Sequence, residues 1–200
     1  MYFVPRTSYF YKMNLTAIIL AGGQSLRMGT NKALMQYFGK SLIQYSLELA
    51  LCFTRNIIIS TNQDELRNLG FPIVNDIFSV KAPLSGIHAG LLFSKTDWNL
   101  VLTCDMPNVS VQVIQYMISK LEQEAELALV GHHGYIEPLC GLYHRNLIPF
   151  IEANFGRNKL SPLDLMELET SRLIQMDSII DEDPSFIFKN INEKKDLLPG

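Results

Sequence analysis

A chain of 200 residues that is 48% hydrophobic and 18% charged has the apolar content of a compact domain, which excludes a disordered or fibrous polypeptide. Its net charge of −3 argues against broad nucleic-acid binding, and no apolar run approaches the roughly 20 residues of a membrane-crossing helix. Cys52, Cys104 and Cys140 are odd in number and far apart, which excludes a disulfide framework and a C-x-x-C metal site; they read as buried thiols in a reducing, cytoplasmic compartment.

Residues 1–13 read as an N-terminal extension and 14–200 as a single domain, with Met13 an alternative start to Met1. Arg6 and Lys12 ahead of a short apolar stretch weakly resemble a signal peptide. The stretch sits at the bottom of the roughly 7–15 residue range for such a core and is better explained as a buried strand. Apolar, β-branched runs predict strands at 15–21, 56–60, 71–74, 98–104 and 127–131, and their lack of strict polar alternation predicts burial on both faces. Helical spacing predicts helices at 41–53, capped by Ser41, at 84–95, and at 110–124, capped by Ser110. Strand–helix alternation of this kind predicts an α/β layer fold with a mainly parallel sheet. After about residue 130 the order is less regular. A strand is expected at 135–144, a helix interrupted by Pro149 at 145–155, a short helix at 161–169, and late strands at "RLIQM" and "SFIFKNI".

The loop after the first strand, "LAGGQSLRMGTNK" (20–32), is rich in glycine and basic residues. In open parallel sheets ligands bind beyond the carboxyl ends of strands. Gly22 and Gly23 let backbone N–H groups approach a phosphate, Arg27 has a fork that matches phosphate oxygens, and Lys32 is a point charge. The spacing is not that of a Walker loop, because Gly23 and Gly29 enclose five residues and Thr30 follows, and there is no G-x-G-x-x-G. An ordinary βα turn with two surface cations has the same composition.

The order of the residues is more specific. "LAGGQSLRMGTNKALM" resembles the L-A-G-G-x-S-x-R-M-G-x-x-K signature of molybdenum cofactor guanylyltransferases and, more loosely, the cytidylyl- and uridylyltransferases that activate sugars and polyols. "STN" ending at Asn62, "IVND" ending at Asp76, "APLSGIHAGL" (82–91), "CDMP" (104–107), "EPLCGLY" (137–143) and "FKNINEKKDL" (188–197) are similar to further family segments. The similarity spans about residues 14–198. Two positions depart from the pattern: Ala82 stands where the family has Gly, and Glu193-Lys194 follow Asn192 where it has Thr-Pro.

The resemblance implies a Rossmann-like three-layer α/β/α fold of the nucleotide-diphospho-sugar transferase type. It implies transfer of GMP from GTP to the terminal phosphate of molybdopterin, with release of pyrophosphate. It places Leu20, Ala21, Gly22, Gly23, Lys32, Asn62, Asp76 and Asp105 on the nucleotide, and Mg²⁺ on Asp105. Arg27, Lys32 and Asp105 carry the catalysis. Asn190 and Asn192, with Arg157 and Lys159, are the candidates for the pterin side. It further implies delivery of the product through cofactor-loading proteins to acceptor oxidoreductases.

Gly22 favours GTP, since cytidylyl relatives tend to have Ala at that position. A molybdenum cofactor cytidylyltransferase, a sugar- or polyol-phosphate nucleotidyltransferase, and a non-catalytic cofactor carrier stay open. Other features have plainer readings. His132-His133 and "DEDP" (181–184) read as solvated turns, and Cys104, which closes a buried strand without a base partner, reads as a core thiol.

Overall fold

Six consecutive buried residues make β1 (Leu15–Leu20) the centre of the molecule. In the computed structural model, which describes residues 13–22, 31–78, 80–176, 183–192 and 196, β1 pairs in parallel with β4 (Asn56–Ser60) on one side and β6 (Trp98–Thr103) on the other. The first connection runs through a small hairpin, β2 (Gln36–Tyr37) and β3 (Lys40–Ser41), then α1 (Leu42–Leu51). The second passes β5 (Ile73–Val74), parallel to β4, and α2 (Pro83–Phe93). Beyond β6 follow α3 (Val111–Ser119), β7 (Leu127–His132), β8 (Tyr135–His144), α4 (Ile148–Gly156), β9 (Ser171–Gln175) and α5 (Pro184–Ile187). The described residues form a seven-stranded sheet in the order β5-β4-β1-β6-β8-β7-β9, in which only β8 runs antiparallel to its neighbours.

Side-chain alternation divides β1 between two cores. Leu15, Ala17 and Ile19 face a layer with Ile43, Leu47 and Ala50 of α1 and Val113, Ile114 and Met117 of α3. Ile18 and Leu20 face Leu84, Ile87 and Leu91 of α2, with Leu147 and Ile151 at α4. A buried Ile of this kind contributes about 1.5–3 kcal/mol, and both layers draw on the same strand. α2 sits close: a Cβ on Gly90 would lie 2.6, 2.8 and 3.0 Å from three side-chain atoms of Ile18. Among the described residues no helix is long and apolar enough to cross a membrane.

The expected strands and the mainly parallel three-layer arrangement are present, and several local readings are corrected. Pro149 does not interrupt a helix but sits in the first turn of α4, where a missing N–H costs nothing. "SFIFKNI" contributes the one-turn helix α5 rather than a strand: Asp183 accepts from Ser185 N–H at 2.9 Å and Pro184 occupies its first turn. The short helix expected at 161–169 is present as a 3-10 helix over residues 162–167. The helix expected to reach 124 stops at Ser119, where the chain turns into buried β7. The hairpin turn Phe38-Gly39, with φ of 44° and 82°, has both central residues in the left-handed region that two-residue hairpins require. The His133-Gly134 turn, at 46° and 80°, does the same for β7 and β8.

Candidate active site

The sheet order reverses at β1: the chain proceeds to β4 and β5 on one side and to β6 on the other. Crevices form at such switch points beyond the carboxyl ends of the strands. Here the exits of β1, β4 and β6 surround a cavity of about 660 Å³, within the range of small-molecule sites. Backbone bonds fix the exits. Ala21 N–H donates to Ser60 O at 2.9 Å, Cys104 N–H to Leu20 O at 3.2 Å, and Thr61 Oγ1 to Ala21 O at 3.1 Å.

One end of the cavity is organised around Asp105. Thr103 Oγ1 donates to its Oδ1 at 2.6 Å and Lys32 Nζ to its Oδ2 at 2.9 Å. Lys32 also donates to Asn192 Oδ1 at 3.0 Å. It starts a 3-10 turn capped by Asn31, whose Oδ1 accepts from Ala33 N–H at 3.0 Å. The segment after α5 crosses this end, and Ile191 N–H donates to Asp105 O at 2.8 Å. Residues 32, 105 and 192, remote in sequence, thus meet in one polar cluster.

The other end lies beyond β4 and β5. Asn62 Nδ2 donates to Asp76 Oδ2 at 2.8 Å, and Asp76 N–H returns a bond to Asn62 Oδ1 at 3.1 Å. Burial raises the Asp76 pKa above its ordinary value, and the Asn62 bond only partly opposes this. The folded state therefore binds the proton more tightly than the unfolded chain. Stability is favoured below the unfolded-chain value and declines as pH rises through the folded value. Asp76→Asn is expected to raise the melting temperature by about 1–2 °C at pH 7, an effect kept small by solvent screening, and to leave it unchanged below about pH 3, as read by calorimetry at both pH values.

Leu20, Ala21, Gly22, Lys32, Asn62, Asp76 and Asp105 all line the cavity. Gly23 and Arg27 lie outside the described residues. Asn192 joins the Lys32 cluster, and Asn190 is exposed two residues before it. Arg157 and Lys159 are not brought to the cavity: Arg157 is exposed after α4, and Lys159 Nζ pairs with Glu167 at 2.6 Å. Cys104 is a core thiol whose pKa burial pushes up to about 12, so it stays protonated and is no nucleophile.

Three liners lie outside the family-like segments singled out in the sequence: Gln63, Lys81 and Thr103. Gln63 follows "STN", Lys81 precedes "APLSG" and Thr103 precedes "CDMP", so adjacency to those segments was the available signal. His132 corrects the solvated-turn reading. It is 5% exposed, its Nε2 lies 2.9 Å from Glu137 Oε1, and its ring stacks on Phe188 with centroids 4.6 Å apart. Of the two histidines, His133 is the exposed one.

The donor set fits Mg²⁺. A partly exposed carboxylate of a hard oxygen type opens on the cavity, and Mg²⁺ characteristically binds one or two carboxylates plus substrate phosphates. Among the described residues no group of three or more His, Cys, Asp or Glu is gathered to hold a metal ion.

Comparison with known proteins places these features in context. Residues 17–169 match the MobA-like NTP transferase domain. The chain is 31% identical to the probable molybdenum cofactor guanylyltransferase of Flavobacterium johnsoniae over 92% of its length and 94% of that protein's. It is 32% identical to the molybdenum cofactor guanylyltransferase of Syntrophotalea carbinolica over 91% of this chain and 88% of that one. In fold it is similar to the molybdopterin-guanine dinucleotide biosynthesis protein A of Archaeoglobus fulgidus, with a TM-score of 0.75 at 22% identity, covering 91% of this chain and 94% of that one.

Proposed function

The chain belongs to the MobA-like NTP transferase family, and from that premise we propose that it transfers GMP from GTP to the terminal phosphate of molybdopterin, with Mg²⁺ as the metal. The observation that carries this reading is the Lys32–Asp105 pair, 2.9 Å apart, at one end of a nucleotide-sized cavity at the switch point of the sheet.

An oxygen of the acceptor phosphate attacks the α-phosphorus of GTP. The new P–O bond forms as the bond from the α-phosphorus to the bridging oxygen breaks, and pyrophosphate leaves with that electron pair. The attacker is already an anion, so the residues face a problem of repulsion between polyanions rather than of proton removal. Lys32 meets it by donating to phosphate oxygens as charge builds on the leaving group. Asp105 holds Mg²⁺, which when bound supplies further neutralisation of the phosphates. Thr103 holds Asp105 through its Oδ1, and Asn192 holds the Lys32 ammonium. Arg27 adds a second cation from the glycine-rich loop. Asn62 and Asp76 orient the nucleoside in this reading, which assigns Asn190 to the pterin.

The test is turnover with Mg²⁺, molybdopterin and each nucleoside triphosphate in turn, read as pyrophosphate release. GTP is the expected substrate. Turnover with CTP alone moves the protein to the cytidylyl branch, and consumption of a sugar phosphate without pterin moves it to the sugar-activating enzymes. Binding without turnover leaves a carrier.

Gly22 sharpens the test. Among the described residues a Cβ there would have no neighbour nearer than Ser60 O at 4.0 Å, so Gly22→Ala is expected to keep the fold and to act on the ligand. Its expected result is a fall of about tenfold in kcat/KM for GTP with no comparable fall for CTP. An equal fall for both would remove Gly22 from base selection.

A further inference from the structure

Lys81 lines the cavity, yet the transfer step described above gives it nothing to do. Its backbone is pinned on both sides. Ala82 N–H donates to Val80 O at 3.0 Å, closing a three-residue turn centred on Lys81, and Ser85 Oγ donates to the same carbonyl at 2.7 Å. The residue is exposed on the cavity wall and enters no ion pair among the described residues.

The position of this cation matters because the two ends of the cavity differ. Lys32, Thr103 and Asp105 make the β6 end polar and suited to phosphates and a metal. Lys81, Ala82 and Pro83 line the cavity at the start of α2, and α2 approaches the β4–β5 end, where a Cβ on Gly86 would lie 3.7 Å from Asp76 Oδ1. α2 is pressed against the floor here: a Cβ on Gly86 would fall 2.7 Å from Ser60 Oγ and 3.2 Å from Leu20 Cδ2. With the phosphates at the Lys32 end, the base of the same nucleotide comes to the Lys81 end.

An ammonium group donates and cannot accept. Guanine offers the acceptors O6 and N7 along one edge, whereas adenine replaces O6 with an amino donor, and cytosine carries an amino donor as well. We propose that Lys81 reads the base: its ammonium donates to the O6/N7 edge of guanine and disfavours bases that present an amino group there. The assignment rests on the nucleotidyltransferase reading and adds to it a specificity-determining side chain outside the glycine-rich loop.

Isothermal titration with Mg-GTP, Mg-ITP and Mg-ATP tests it, using the full chain and its Lys81→Met and Lys81→Arg variants. ITP keeps O6 and N7 but lacks the 2-amino group, so it should follow GTP. The expected result is a loss of about tenfold in affinity for both GTP and ITP in Lys81→Met, with ATP within about twofold and most of the loss recovered in Lys81→Arg. An equal loss on all three nucleotides assigns Lys81 to the phosphates and overturns the proposal. No loss on any leaves Lys81 in solvent and overturns it too. A parent protein that binds none of the three removes the transferase reading itself, whereas a parent that binds GTP with unaltered variants removes only the role of Lys81.

Discussion

Asp105→Asn is expected to lower kcat/KM for nucleotidyl transfer by about a thousandfold while leaving the protein folded. The amide has nearly the shape of the carboxylate. Its oxygen can still accept from Thr103 Oγ1, and the main-chain bond from Ile191 N–H to Asp105 O is untouched. What disappears is the negative charge that faces Lys32 at 2.9 Å and to which the proposed mechanism assigns the metal. Steady-state pyrophosphate release measures the loss and a melting curve checks the fold. A fall of less than about tenfold with an unchanged melting temperature would sink the electrostatic mechanism. Lys32→Met gives a second readout. The two groups are in contact, so the double variant should lose far less than the product of the single losses. Losses that simply multiply would mean that the pair does not act as a unit.

Gly90→Ala is expected to cost about 1–3 kcal/mol and to lower the melting temperature by about 3–9 °C, although Ala ordinarily suits a helix better than Gly. The added methyl meets three atoms of the Ile18 side chain within 3.0 Å. Ile18 is fully buried and β-branched on the central strand, so it has few rotamers into which to retreat. The remaining adjustment is for α2 to move away from the sheet, and α2 begins at Pro83 on the cavity wall. Denaturant unfolding measures the stability, and nucleotide affinity reports whether the wall moved. An unchanged or raised melting temperature would show that α2 is free to slide on β1.

The sheet was legible because its strands are buried on both faces and appear as short unbroken apolar runs, as in "TAIIL" and "NIIIS". The long helices were legible from their spacing. The hairpin of β2 and β3 was not, since two-residue strands have no period to detect. At 185–188 the β-forming composition of "SFIF" was misleading because the Asp183 cap and Pro184 favour a helical turn locally. His132 was misread because two adjacent histidines look polar; its burial depends on Phe188, 56 positions further along the chain. Lys32, Asp105 and Asn192 were each picked out individually, but their meeting at one point is a property of the topology. Lys81 matched no pattern, since an exposed lysine acquires significance only from the wall on which it stands.

The bond from Lys32 to Asn192 spans 160 residues. Synthesis at about 5–20 residues per second puts Asn192 on the chain about 8–32 s after Lys32. Once β6 has been made the crevice can form from β1, β4 and β6, but until Asn192 follows nothing bridges Lys32 to the segment after α5. The clamp over the reactive end is therefore the last part of the site to be built, and a ribosome that stalls before Asn192 leaves a chain with a nucleotide crevice whose lysine lacks its Asn192 bond.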